Sequence, residues 1–453
     1  GLITTNSIRQ TFNRRVIEAA LSGEPALQLA YAIPDHPWVD SADGAQVRIA
    51  MTVGGPASAV DGRRLEVLSE ADGADDEITV TLRERSGTLH ADLNVGANIT
   101  KAGSLHANEH LSNRGVQLFG AGFLVTNDEA ESLGFGSVPS IERHIREYRN
   151  GRDLMDQSRN LRVIDLYGLD TEQVISRFPT LYQWVLNRVK PERDNNNRPS
   201  RKANWWIFGE PNPKLRRQLL GLFRYIATVE TAKHRLFQFL DASILPDNKL
   251  IAIASDNAEL LGVLSSRVHG VFMLASGSHL GVGNDPVYVK SRCFEPFPFP
   301  NLSTEQNPSP SGRGSIEFDR RVRDSPAEDG SQPERPSPRE ACFALPGGEG
   351  FQKGVPRGEG FSAHSSTEAL IDRIRHLGET IDAHRKRQQA AHPGLPLTGM
   401  YNVLEQLRRG ASLNAKEKLI HEQGLVSVLA SLHDELDTAV LAAYGWSDLA
   451  PAL

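Results

Sequence analysis

Apolar and polar positions along the chain change period several times. Leu2-Ile3 reads as the tail of a buried strand, and Thr4, Thr5, Asn6 and Ser7 supply helix caps ahead of a helical period from Ile8 to Leu21. Two strands follow, LQLAYAIPDHPWV and AQVRIAMTV, the second with Val47, Ile49 and Met51 alternating against Arg48 and Thr52. Strand, helix, strand, strand is how a doubly wound α/β sheet often closes, with an antiparallel pair at its edge. A strand at residue 1 has no sheet to join unless more strands precede it. Gly1 is therefore expected to be a cut within a longer chain, a processed start being the alternative.

Residues 62–95 read as short strands broken by EADGADD, with EITVTLRE the clearest. A polar, glycine-bearing stretch then ends in an expected strand from Gln117 to Val125. VPSIERHIREYRNGRD reads as a short amphipathic helix and a turn, LRVIDLYGL as a strand, and TEQVISRFPTLYQWVLNRVKPERD as a helix pair split at Pro179. A further helix is expected from Pro213 to Leu220. RYIATVETAKHRLFQFLD mixes strand and helix signals. LIAIAS is a compact β-run, NAELLGVLSSRVHGVFML a helix, and DPVYVKSRCFEPFPFP an extended end. Positions 301–360 hold eight prolines and nine glycines, the composition of a disordered linker, which is expected over 307–366. From Thr367 the helical period returns through ALIDRIRHLGETIDAHRKRQQ, MYNVLEQLRRG with its glycine cap, SLNAKEKLIHEQG and LVSVLASLHDELDTAVLAAYGW.

Composition narrows the class. The 453 residues are 39% hydrophobic and 23% charged, which is ordinary for a globular protein of several domains. Cys293 and Cys342 make no disulfide framework and suit a reducing, cytoplasmic compartment. No run approaches the ~20 apolar residues of a membrane span, and the N-terminus is no signal peptide. Net charge is −6, yet residues 188–235 carry twelve Arg/Lys against four acids. Trp205, Trp206, Phe208, Phe223 and Tyr225 are interleaved with those cations, which is a nucleic-acid signature. The competing reading is a solvated helix face.

Several stretches carry a resemblance. GLITTNSIRQTFNRR, YAIPDHPW, VRIAMTV, LSNRGVQLFGAGFLVT, YRNGRDL, ANWWIFGEP, YIATVETAKHRLFQFLD, LGVGNDPVYVKSRCFEPFPFP, DAHRKRQQAAHP and LHDELDTAVLAAYGW occur in this order. Together they resemble the carboxy-terminal half of the large adenine-specific DNA methyltransferases of the type II restriction–modification kind, the MmeI-like family. The resemblance covers nearly all of the chain except about 307–366, where some sixty low-complexity residues depart from it. It implies an α/β and α+β architecture. Residues 1–60 would be the tail end of a Rossmann-like methyltransferase sheet, 61–300 a large α+β target-recognition domain, 301–366 a linker or insertion, and 367–453 a helical C-terminal region.

The reaction implied by the resemblance is methyl transfer from S-adenosyl-L-methionine to adenine N6 in double-stranded DNA, with the target base taken out of the stack. The family's cofactor glycine motif and catalytic Asn-Pro-Pro-aromatic loop are absent here and expected upstream of residue 1, so this piece alone is expected to be inactive. Its partners would be the duplex and the N-terminal catalytic portion, to which some family members fuse a nuclease. Thr5 and Asn6 would lie near the cofactor and target-base cleft. A non-catalytic specificity module acting with a separate methyltransferase or nuclease subunit is the alternative.

Base reading needs Arg, Lys, Asn or Gln at base edges, with other cations on phosphates. The first candidates are Arg198, Lys202, Arg224, Tyr225, Lys233 and Arg235, although Arg235 is equally suited to pair with Asp241. Arg216 and Arg217 read as a solvated helix face. His279, Asn284 and Lys290 belong to a glycine-bearing loop that either approaches DNA or makes a tight turn. Asn113 and Arg114 form a third patch. His90, His106 and His110 lack the companions of a metal site, and no GxSxG elbow occurs.

Overall fold

The computed structural model describes residues 1–10, 13–38, 47–56, 61–72, 78–99, 102–280, 285–301 and 360–452. The disorder expected over 307–366 falls almost wholly outside them. The chain divides into two compact units, Gly1–Pro300 with Leu370–Leu453, and Asn301–Ala369. Helix is the only structure described in the second unit, beginning at Gly360.

Strand β1 (Leu2–Thr5) passes through a 3-10 turn at Asn6–Arg9 to helix α1 (Arg15–Ser22), β2 (Leu27–Trp38) and β3 (Val47–Pro56). The continuous helix expected over Ile8–Leu21 is therefore shorter, and it follows a separate tight turn. Strand β3 lies antiparallel to both β1 and β2, so the crossover β1–α1–β2 joins two parallel strands with a third inserted between them. β4 (Gly62–Asp72) runs parallel to β2, and β5 (Ile78–Gly87) returns antiparallel to β4. The result is one five-stranded sheet ordered β1-β3-β2-β4-β5. The short strands expected over 62–95 are instead two long arms of one hairpin, because cross-strand pairs such as Glu66 with Arg83 hold polar positions in register. Ile17 of α1 packs on Leu29, Ala32 and Ala50.

The middle of the chain builds two more sheets. In order it forms β6 (Ser112–Arg114), β7 (Leu124–Val125), α2 (Asn127–Ser132), β8 (Ile145–Arg149), α3 (Gly151–Met155) and β9 (Arg162–Ile164). Helices α4 (Thr171–Arg177), α5 (Pro179–Arg188), α6 (Lys190–Asp194), α7 (Pro199–Ala203) and α8 (Pro213–Gln218) follow. Then come β10 (Arg224–Val229), β11 (Gln238–Asp241), β12 (Leu245–Pro246) and β13 (Leu250–Ile253). The sheets are ordered β11-β10-β13-β6 and β12-β8-β9-β7.

Two expectations fail here for physical reasons. The helix expected in VPSIERHIREYRNGRD is strand β8, since Arg146 donates to the carbonyls of Ser243 and Ala242 and Tyr148 Oη donates to Asp247 at 2.5 Å. The long strand expected over Gln117–Val125 shrinks to β7, because Phe119 (φ 50°) and Gly120 (φ 149°) take left-handed backbone and turn the chain. The break at Pro179 stands, with Asp170 capping α4 and proline starting α5.

The helix expected over NAELLGVLSSRVHGVFML divides into α9 (Ala258–Ser265) and α10 (Arg267–Ser276), bent by 63°. Ser266 is extended at the break, and its hydroxyl caps α10. β14 (Ser278–Leu280), β15 (Asp285–Val287) and α11 (Lys290–Cys293) complete the segment. Beyond it lie α12 (Gly360–Ala391), α13 (Leu397–Arg408), α14 (Ala415–Gly424) and α15 (Val426–Ala443), with Gly410 left-handed after α13 as its glycine cap requires. Buried Ile371, Ile374, Leu377 and Ile381 mark the inner stripe of α12. No single helix among the described residues is long and apolar enough to cross a membrane.

Two features of this core make measurable demands. A Cβ on Gly378 of α12 would stand 2.5 Å from the Ala258 carbonyl oxygen and 3.0 Å from the Gly262 nitrogen, both backbone atoms of α9. Gly378→Ala is expected to destabilise by about 1–3 kcal/mol in urea unfolding, despite alanine's better helix propensity. His269 is fully buried against Tyr288 (Nε2 to Oη 3.0 Å), and burial pushes its pKa down to about 3. The unfolded chain then binds a proton below about pH 6.5 that the folded chain refuses until about pH 3. Stability is expected to fall as pH drops through that window, by about 1.4 kcal/mol per pH unit once the slope is full. His433 is displaced in the same direction by burial and by Arg385. Urea midpoints at pH 7.5, 6.0 and 5.0 check this.

Candidate nucleic-acid interface

Most of the basic segment is consumed inside the protein. Arg193 is fully buried, donating to the carbonyls of Leu118 and Ile207 at 2.8 and 3.2 Å. Arg201 is buried over the Phe119 ring at 3.5 Å. Arg188 lies over Trp184, and Lys190 pairs with Asp194 in the next turn. Arg216 is no solvated helix residue. It grips the buried carboxylate of Asp165 with both terminal nitrogens, at 2.7 and 3.0 Å, while its Nε donates to Pro211. Trp205 is core, packed on Tyr182, and half-buried Trp206 donates from its indole to Leu169.

The positions singled out from the sequence separate into three groups. Tyr225 and Arg235 are interior. Tyr225 has no exposed surface and donates to the Ile244 carbonyl, so the expected DNA contact gives way to a core role. Arg235 donates to the carbonyls of Val229 and Pro286 rather than to Asp241, and burial lowers its pKa to about 10. A second group sits at the surface but is already paired. Arg224 is bidentate to Glu379 of α12 and stacks on Phe239 at 3.6 Å. Lys233 meets Glu405 at 3.0 Å, Lys290 meets Glu295 at 2.6 Å, and Arg114 meets Glu230. Asn113 belongs with the interior group instead, since it is buried and donates to Gln218.

Arg198 and Lys202 make up the third group. Arg198 caps α7 ahead of Pro199, and Lys202 follows four residues on, so both stand on the outer side of a helix whose inner side is Arg201. Both are exposed, and neither side chain has an ion pair or hydrogen bond with another described residue. Arg217 is also exposed, in the same segment as the solvent-facing Leu220 and Phe223. With exposed Lys214, whose ammonium meets the imidazole of His110 at 3.0 Å and no acid among the described residues, these are the cations of the segment with charge to spend on a phosphate. His279 is placed only by its backbone, paired with Pro286 in the β14–β15 ribbon, and Asn284 lies outside the described residues. No group of three metal-ligating side chains occurs among the described residues.

At the other end of the chain, Thr5 closes β1 and its hydroxyl meets Ser7 at 2.7 Å, while Asn6 donates to Asp35 at 2.8 Å. Asn6 borders a cavity of about 780 Å³ that also meets Arg9, Arg14, Arg64, Arg85 and Leu274. None of these arginines is in the basic segment, and each is ordinary in its own sequence context. Tertiary structure alone gathers them, from the turn after β1, from the residue that precedes α1 and from the β4–β5 hairpin.

A solved structure of the Type IIL restriction–modification enzyme MmeI in complex with DNA is similar to this chain, with a TM-score of 0.59 at 16% identity. The match covers 98% of this chain and 46% of that one, so the chain spans under half the length of the protein it resembles. No protein-family model and no curated protein matches the sequence. What the two share is the fold, a mixed α/β architecture with several sheets and helices.

The pairing pattern separates structural from available charge. Arg216→Ala removes the bidentate partner of buried Asp165, leaving it Arg146 at 3.7 Å, and is expected to cost about 2–4 kcal/mol of stability. Arg198→Ala and Lys202→Ala are expected to stay within about 0.5 kcal/mol of the parent. Urea unfolding of the three variants side by side checks the division.

Proposed function

We propose that this chain is the DNA-reading portion of an adenine-N6 DNA methyltransferase of the restriction–modification kind, and that its first strands complete the catalytic sheet. The observation that carries this reading is the fold likeness, over 98% of the chain, to an enzyme solved on DNA. Two features of the chain support it. Arg198 and Lys202 offer unpaired cations on one helix face, as phosphate contacts require. Strand β1 is a sheet edge with exposed apolar residues on both faces, Leu2 at 49% and Ile3 at 60%. Neighbouring residues of a strand point to opposite faces, and a strand apolar on both suits the interior of a larger parallel sheet. The order β1-β3-β2 is compatible with the closing edge of a Rossmann-like sheet.

In this reading S-adenosyl-L-methionine supplies the methyl group, but the described residues do not fit it. Asn6 is held by Asp35 and Thr5 by Ser7, and the adjacent cavity is lined by arginines, which repel a sulfonium. We assign cofactor binding and transfer to a catalytic portion outside these 453 residues, since the sequence contains no Asn-Pro-Pro-aromatic loop. The role left to this chain is to choose the adenine. A DNA-associated, cytoplasmic setting belongs to the same reading.

The test is selection of duplexes from a randomised library by the purified chain. Enrichment of one adenine-containing motif is expected. Arg198→Ala and Lys202→Ala should each weaken binding to every duplex alike and lower the salt slope by about 1. Failure to retain any duplex at low salt would remove the reading, and retention without a motif would mark a general DNA binder instead.

A further inference from the structure

The cavity beside Asn6 carries more positive charge than its own residues neutralise. The β4–β5 register sets Arg64 directly opposite Arg85, and like charges at facing positions of an antiparallel pair repel. The neighbouring pair on that face is Glu66 with Arg83, joined at 2.7 Å, and Glu66 also meets Arg64 at 3.3 Å. One carboxylate thus pairs with two arginines and leaves Arg85 without an ion pair among the described residues. The other carboxylate on the lining, Asp92, is occupied by Asn94, whose backbone and side-chain N–H groups donate to it at 3.1 and 3.0 Å.

Arg9 reaches the same space from the turn after β1. The acid that attracts it most, Asp35, accepts from Asn6 and from Arg48, each at 2.8 Å. Burial lowers the Arg9 pKa from its usual value, and Arg64 and Arg48 add to that shift while Asp35 opposes it. Neither Arg9 nor Arg85 makes a hydrogen bond or ion pair with another described residue. A half-buried guanidinium without a partner and two arginines facing each other across a hairpin are both costly, and an anion between them relieves both costs.

We propose that this cavity is a phosphoryl-oxyanion site in which Arg9, Arg64 and Arg85 receive a backbone phosphodiester of the bound duplex. The proposal rests on the DNA-binding reading above and adds a contact outside the basic segment. The guanidinium fork matches the spacing of phosphate oxygens, which favours a phosphoryl group over a simple halide. The lining also includes apolar Val95, Val271 and Leu274, and Asn6 and Ser278 add neutral polar groups. A cavity of about 780 Å³ open to solvent has room for a strand segment rather than an isolated ion.

The experiment is fluorescence anisotropy of the full 453-residue chain on a labelled duplex across a salt series. It compares wild type with Arg9→Gln, Arg85→Gln and, as a distant exposed control on α14, Lys416→Gln. Arg9→Gln and Arg85→Gln are each expected to weaken binding about 3–10-fold and to reduce the salt slope by about 1, with the control unchanged. Arg85 is exposed, so its variant keeps the test valid should Arg9→Gln fold poorly. Duplex binding by wild type that both variants retain in affinity and slope would overturn the site while leaving the parent reading intact. An equal loss in Lys416→Gln would reduce the effect to net charge and overturn it too. Inorganic pyrophosphate binding that Arg85→Gln abolishes, with duplex binding untouched, would assign the cavity to a free phosphate ligand against the proposal. A wild-type chain that binds no duplex would remove the parent reading and this site together.

Discussion

An exposed edge strand must satisfy or hide its outward backbone groups, and β11 does so through the side chains of a helix more than 140 residues away. Arg385 donates to the Phe237 carbonyl and Lys386 to the Phe239 carbonyl, both at 2.7 Å, while Asp382 accepts from the Phe239 N–H at 3.3 Å. Phe237 and Phe239 are alternate residues, so their free groups point the same way, out from the β10–β11 pair. Helix α12 thereby finishes the sheet that a fifth strand would otherwise extend. The same helix takes Glu379 to Arg224 at the start of β10, and packs Gly378 against α9 at a distance only glycine permits. Arg385 continues inward to Tyr401, and Tyr401 to His433, at 2.8 and 2.7 Å, linking α12, α13 and α15 in one buried chain of hydrogen bonds. The helical region and residues 1–300 accordingly share one compact unit.

The elements that were legible in the sequence are those whose period reflects one dominant environment. β2 and β3 form where the sequence placed them, although burial does not alternate along them, since adjacent Ile49 and Ala50 are both buried and Val47 and Val53 are exposed, and α13 to α15 keep a helical stripe because they pack on each other. Two of the misses share one cause. IREYR has the polarity of an amphipathic helix, yet Arg146 and Tyr148 spend their polar ends on Ala242, Ser243 and Asp247, about a hundred residues away. The β4–β5 arms, expected as short strands broken by EADGADD, carry charges that only the cross-strand register makes complementary. In each case partners distant in sequence decide the structure, and local pattern has no access to them.

The same cause limits what a count of charges says about a binding surface. The basic segment drew attention through its excess of cations and its aromatic residues. Once folded, Arg193, Arg201, Arg216 and Arg235 are structural, held by carbonyls, rings and the buried Asp165. Arg224 fastens the C-terminal helix rather than a ligand. The aromatic residues follow suit, since Tyr225, Trp205 and Phe208 fill cores. Arg198, Lys202, Lys214 and Arg217 are left, and nothing in their sequence context separates them from neighbours that are fully spent.

Subtraction works in the other direction as well. Arg9, Arg64 and Arg85 lie where the chain is nearly neutral, among Asp35, Glu84, Asp92 and a Glu66 that Arg64 shares with Arg83, so linear charge gives no hint of them. The fold assigns those acids elsewhere: Asp35 to Arg48 and Asn6, Glu84 to Arg63, Asp92 to Asn94. What remains at the cavity is cationic, and hairpin geometry holds the like charges together. Folding tolerates such an arrangement when burial elsewhere outweighs the repulsion, and binding an anion recovers the cost. Charge left over after every internal partner has been counted is therefore a sharper guide to a ligand than charge present in the sequence.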